Sequence, residues 1–199
     1  MIQDPLKPNE ESLVFRSREA FLIFCVMVAG KNGKRTVAVC EKFLESCRPE
    51  YRYEAGKPRP FAYVKELISQ GRLHDRLVEI RCGQYGRIAR ALIAIVDRKI
   101  DADDTSIEQL EEIPGIGPKT SRYFMMRAHG KEYAALDTHL LKWLRRQGYK
   151  APKSTPGSMK LYRTLENAFI MEAHNRGLTP DELDAKVWEH YARGKPYPA

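Results

Sequence analysis

The chain lacks any apolar run near the ~18–20 residues that a membrane span requires. Its most apolar stretch, Phe21 to Ala29, is too short, and its flanks lack the small-residue cleavage pattern of a signal peptide. The four cysteines, Cys25, Cys40, Cys47 and Cys82, include no C-x-x-C pair. That argues against a disulfide scaffold and gives little support to a cysteine-ligated zinc or iron–sulfur site. The expectation is a reducing, intracellular compartment with mostly buried thiols. No four to eight residues alternate cleanly as a strand, and there is no internal repeat or low-complexity tract.

What is present is a chain of 199 residues, enough for one domain or two small interlocked lobes. Hydrophobic residues make up 43%, which excludes a wholly disordered chain. Lys and Arg number 34 against 26 Asp and Glu, a net charge of +8. That excess favours a polyanionic partner, chiefly nucleic acid, but names neither the polyanion nor the chemistry.

Apolar residues recur at three- and four-residue steps nearly throughout, which predicts an all-α protein. Ser17 opens a run through Ala20, Phe21, Phe24, Cys25 and Val28 to Gly30, and Thr36 to Cys47 repeats the pattern. Arg48 to Pro60, with three prolines and a glycine, reads as a loop. Further helices are marked by Phe61 to Ile68, by Leu73, Leu77 and Ile80, and by Ile88 to Val96. Ser106 to Glu112 is a short helix, and others start near Pro118 and at Asp137. Beyond the loop Ala151 to Gly157, Leu161, Leu165, Ala168 and Phe169 share one face of a long amphipathic helix. Thr179, Pro180 and Glu182 form a capping-box start for the last one.

The most informative segment runs Leu110-Glu111-Glu112-Ile113-Pro114-Gly115-Ile116-Gly117-Pro118-Lys119-Thr120. Two helices are joined by Pro-Gly-Ile-Gly, a sequence that permits a tight turn and close backbone approach. The second helix points its first N–H groups and positive dipole end back at the turn, a geometry that suits a phosphate. An ordinary αα-hairpin has the same outline. Downstream stands Ala134-Ala135-Leu136-Asp137-Thr138-His139. A lysine amine near a helix N-terminus can act as a nucleophile and form a Schiff base. A carboxylate at a helix start can stabilise a developing cation and relay protons. Read blandly, Lys119 is a surface lysine and Asp137 a helix cap.

The string IPGIGPKTS followed by LDTH resembles the helix-hairpin-helix DNA glycosylase superfamily, and the Lys119-to-Asp137 spacing of 18 residues is similar to its endonuclease III branch. The resemblance covers about residues 21–188. It implies a two-lobed helical fold, with residues 35–128 in one lobe, including the hairpin at 106–129, and residues 1–34 plus 129–199 in the other. Lys119 and Asp137 would be catalytic and face each other across the cleft. Members with lysine at this position remove a base and then nick the strand by β-elimination. Backbone N–H groups of Gly115, Gly117 and Lys119 would grip a phosphate. The hairpin carbonyls of Glu111, Ile113 and Ile116 would hold Na⁺ or K⁺. The partner would be duplex DNA containing a damaged base, and the protein a monomer of the cytoplasm and nucleoid.

Endonuclease III relatives carry four C-terminal cysteines for an iron–sulfur cluster, whereas this chain has none after Cys82, so no cluster is expected. The C-terminal string from Pro180 to Trp188 resembles instead the compact, cluster-free 8-oxoguanine DNA glycosylases. In those, an Asp-x-x-x-Trp pair lines the base pocket. Asp184 and Trp188, four apart, share a helix face here. Trp188 would stack on the extruded base and Asp184 accept from its ring N–H groups. Leu183, Val187, Trp188 and Tyr191 would equally make a core stripe. Tyr123 is a second stacking residue or a core one. Asn32, in the loop Gly30-Lys31-Asn32-Gly33-Lys34-Arg35, would contact the lesion or its orphaned partner, or belong to a solvated basic turn. Two other readings stay open: a glycosylase for oxidised pyrimidines, and a non-catalytic helix-hairpin-helix module.

Overall fold

The computed structural model describes residues 12–47, 59–192, 194 and 197–198. Most of the Pro-rich loop expected over 48–60 lies outside them. The described residues form a 3₁₀ turn, Leu13–Phe15, and ten α-helices. These are α1 (Arg18–Val28), α2 (Gly33–Glu45), α3 (Pro60–Ser69), α4 (Leu73–Glu79), α5 (Tyr85–Asp97), α6 (Ile107–Glu111), α7 (Pro118–His129), α8 (Thr138–Arg146), α9 (Met159–Asn175) and α10 (Pro180–Ala192). Among the described residues there is no strand, as the periodicity predicts, and no helix is long and apolar enough to cross a membrane. All four cysteines are buried as free thiols.

The chain divides into two units, Met1–Thr120 and Ser121–Ala199. The lobe assignment expected from sequence, 35–128 against 1–34 plus 129–199, draws the line elsewhere. In the first unit α1 packs on α2, α3 and α5. Ser17 starts α1 as expected, its Oγ accepting the Ala20 N–H at 3.2 Å. Every residue from Ala20 to Met27 is buried, so this helix is apolar all round and forms the centre of its unit.

One charge is buried with it. Glu19 on α1 accepts the Phe61 N–H at 2.9 Å and pairs with Arg59 at 3.1 Å. Burial still pushes its carboxyl above the ordinary glutamate range, against those two contacts. Ionising Glu19 therefore costs more in the folded than in the unfolded chain. The contribution of Glu19 to stability should be full below the ordinary glutamate pKa and be lost as pH rises through the raised folded value. Denaturation at stepped pH should show the stability difference between the native protein and Glu19→Gln shifting against the native protein across that window.

The second unit is built on α8, α9 and α10. Its core holds Leu140, Leu141, Trp143 and Leu144 of α8, Tyr162, Leu165, Phe169 and Ala173 of α9, and Leu183 and Val187 of α10. The buried stripe of α9 is rotated from the expected one: Leu161 is 39% exposed, whereas Tyr162 and Glu166 are buried. Glu166 enters the core because Arg122 neutralises it there, at 3.0 Å, a pairing that periodicity cannot reveal. Thr179 and Glu182 make the reciprocal capping box that starts α10, at 2.8 and 3.2 Å.

Candidate active site

The first helix of the hairpin, its turn and the first residues of α7 lie in the first unit. Ser106 caps α6 through a capping box with Gln109, and Ile113 and Ile116 anchor the turn in the core. The Ile116 N–H donates to the Ile113 carbonyl at 3.0 Å and the Thr120 N–H to the Gly117 carbonyl at 2.9 Å. Among the described residues the intervening N–H groups of Gly115 and Gly117 have no acceptor. Two donors at the start of α7 are thus left to an outside acceptor, next to the positive end of the helix dipole. Of the carbonyls expected to hold a monovalent cation, that of Ile113 already accepts this turn bond.

Gly115 is required on two counts. Its φ of +89° is left-handed, and a Cβ there would sit 3.2 Å from Cγ of Arg87. Arg87 on α5 is a residue that sequence reasoning missed. Its Nη2 donates to the Val26 carbonyl at 2.8 Å and its Nε to Gln84 at 2.6 Å. It therefore ties the turn to the end of α1. Gly117 is different: its φ is not left-handed, and a Cβ there meets nothing within 4 Å.

Lys119, the second residue of α7, is half-buried. Its charge reaches the buried thiol of Cys25 on α1. Burial pushes that thiol far up, and the Lys119 ammonium pulls the other way. In the loop after α1, Lys31 donates to the Cys82 carbonyl at 2.7 Å and the Gly83 carbonyl at 3.3 Å, and burial lowers its pKa. Asn32 is exposed and caps α2, its Oδ1 accepting the Arg35 N–H at 3.2 Å. This cap starts α2 at Gly33, three residues before Thr36. A base-reading role for Asn32 would fall to its Nδ2.

The other site residues belong to the second unit. Asp137 is the N-cap of α8. Its Oδ1 accepts N–H bonds from His139 at 2.8 Å and Leu140 at 2.9 Å. Among the described residues its Oδ2 takes no hydrogen bond, which leaves one carboxylate oxygen for chemistry. On α10, Leu183 and Val187 enter the core with Tyr191 packed against it. Trp188 does not: it is half-buried and outside that cluster. The face expected to be either pocket or core is therefore split, with Leu183 and Val187 in the core and Trp188 outside the cluster.

Asp184 is buried one turn before Trp188, with Arg127 Nη2 at 3.8 Å from its Oδ2. Arg127 also stands 2.7 Å from Asp181, whose carboxyl is raised by burial and lowered by that guanidinium. The same guanidinium carbon lies 6.0 Å from the ring centroid of Tyr123, which is half-buried. Arg127 thus joins Tyr123 and Asp184 in one cluster. Sequence reasoning missed it because a lone arginine near a helix end reads as solvated.

The all-helical fold, with its Gly-rich turn leading into a lysine-bearing helix, is similar to those of solved 8-oxoguanine DNA glycosylases. The 8-oxoguanine DNA glycosylase of Thermotoga maritima superposes with a TM-score of 0.61 at 18% identity, over 92% of this chain and 84% of that one. Among curated proteins, the 8-oxoguanine DNA glycosylase/AP lyase of Thermoplasma acidophilum is 26% identical over 174 residues, 84% of this chain and 76% of the relative. The protein of the same name from Thermoplasma volcanium is 32% identical over 96 residues, 48% of this chain. That match spans 44% of the T. volcanium protein, less than half its length. No family model matches the chain.

Proposed function

We propose that the protein is a bifunctional DNA glycosylase/AP lyase that excises 8-oxoguanine. The observation that carries this reading is a pair of placements. Lys119 stands in the first turn of the hairpin helix, and Asp137 is held by two N–H bonds on one oxygen with the other left for chemistry. A binding module needs neither. The damaged nucleotide is extruded from the duplex, because its C1′ is unreachable within the stack. The Lys119 amine attacks C1′, and the bond to the base breaks as the base leaves with its electron pair and takes up a proton. Asp137 stabilises the cationic sugar and relays protons. The amine gives up a proton and the sugar ring then opens, C1′–O4′ breaking as O4′ takes up a proton, to give the Schiff base; loss of a C2′ proton then expels the 3′ phosphate as the C3′–O3′ bond breaks.

The N–H groups of Gly115 and Gly117 take a phosphate oxygen; the carbonyls of Glu111, Ile113 and Ile116 would hold Na⁺ or K⁺, which would supply positive charge there. Gly117→Val tests the phosphate site, since the Cβ it adds meets nothing within 4 Å, with thermal unfolding measured alongside to check the fold. Affinity for all duplexes should drop about equally, because phosphate contacts carry no sequence information. In a gel-shift titration, a loss confined to lesion DNA contradicts the assignment.

The preference for 8-oxoguanine rests on Trp188 standing outside the core beside Asp184, and on the relatives' names. 8-Oxoguanine carries a proton on N7 that guanine lacks, so an acceptor aimed there discriminates by about 1–3 kcal/mol. Stacking on Trp188 is worth about 1–3 kcal/mol, so Trp188→Ala should slow 8-oxoguanine release by roughly 5- to 150-fold. Nicking of a preformed abasic site, which needs Lys119 and the sugar only, should be nearly unchanged. A panel of lesion duplexes scored for base release and nicking checks both. Thymine glycol excised far faster than 8-oxoguanine, or both steps impaired alike, replaces this reading with an oxidised-pyrimidine glycosylase.

A further inference from the structure

Residues 134–136 run directly into Asp137, and all three are buried outside any helix or strand. Buried backbone polar groups need partners, and here side chains supply them. The Ala134 N–H donates to Glu166 Oε1 at 3.0 Å. The Tyr162 hydroxyl donates to the Ala134 carbonyl at 2.9 Å and accepts the Leu136 N–H at 3.1 Å. The Thr155 hydroxyl donates to the Leu136 carbonyl at 3.1 Å. Glu166 is paired in turn with Arg122 of α7, whose Nε is 3.1 Å from Oε2. The guanidinium carbon of Arg122 lies 4.7 Å over the Tyr162 ring. Both partners of that ion pair are nearly inaccessible, with side chains 4% and 7% exposed.

Such a network is costly unless every member is satisfied, and once satisfied it specifies a single arrangement. It binds four backbone groups within three residues of Asp137, so it fixes where the carboxylate stands and which way α8 starts. We propose that Tyr162, Glu166 and Arg122 are positioning residues for Asp137, acting through the buried 134–136 segment. The inference rests on the reading of Asp137 as the catalytic carboxylate, and it names the residues that aim it.

Tyr162→Phe in the full chain tests this. It keeps the core volume and the ring beneath Arg122 and deletes one hydroxyl. Single-turnover release of 8-oxoguanine should fall about 10- to 100-fold, the scale on which small misplacements of reacting groups act, with duplex affinity unchanged. In parallel, hydrogen exchange should quicken about tenfold at His139 and Leu140, the amides bonded to Asp137, and stay unchanged at Val187 of α10. Thr155→Val, the same kind of loss at an exposed residue, should move both readouts in the same direction by less. Unchanged exchange at His139 and Leu140 overturns the inference. So does exchange quickened equally at Val187, which would show general support of the unit. Selective exchange with an unchanged rate, when Asp137→Asn is also without effect, leaves the positioning intact and overturns the catalytic reading of Asp137.

Discussion

Lys119→Gln should abolish borohydride trapping and strand nicking while duplex binding survives. Glutamine is one atom shorter than lysine and is readily placed in the first turn of α7, but it cannot form an imine, so no covalent intermediate can be reduced to an adduct. The hairpin beneath it is set by Gly115, Ile113 and Ile116, with Arg87 packed against the turn. None of these contacts involves the Lys119 amine, so the phosphate-facing N–H groups should stay in place. The measurement is a gel assay of trapped adduct on lesion and abasic duplexes, with affinity measured alongside. An adduct that persists would move the nucleophile elsewhere. Lys31 is then the next amine to replace, because burial already destabilises its ammonium.

Asp137→Asn should leave the fold intact and cut base release by about 10²–10³-fold, the scale of losing one pre-organised electrostatic group. Asparagine is as good an N-cap as aspartate. Its amide oxygen can accept the same N–H bonds from His139 and Leu140, so α8 should start in the same place. What is lost is the negative charge, and a neutral amide stabilises a cationic sugar poorly. Thermal unfolding and single-turnover base release separate the two roles. An unchanged melting point with a collapsed rate supports catalysis, and near-normal turnover reduces Asp137 to a helix cap.

The helices, their starts and the hairpin were legible because they rest on contacts within about four residues. Ser17, Ser106, Asp137 and Thr179 each cap the helix that sequence assigns to them. Lys119 was placed at a helix start by Pro118 and the two glycines alone. Asn32 was read as a contact residue or part of a solvated basic turn, and its Oδ1 caps α2 in that turn.

What only the tertiary structure decided lies in pairs far apart in the chain. Arg122 meets Glu166 across 44 residues, and Arg87 reaches the Val26 carbonyl across 61. Hydrophobic periodicity assigns charged residues to the solvent, so it put Leu161 on the buried face of α9 where Tyr162 and Glu166 stand. It could not divide Leu183 and Val187 from Trp188 either, since positions about 100° apart on one helix can both fall within a wide apolar stripe. Sequence by itself determined the helices, their caps and the Gly-rich turn, through local spacing. Packing decided which polar groups are buried with partners and which are left open, because burial and pairing depend on segments that meet only when the chain has folded.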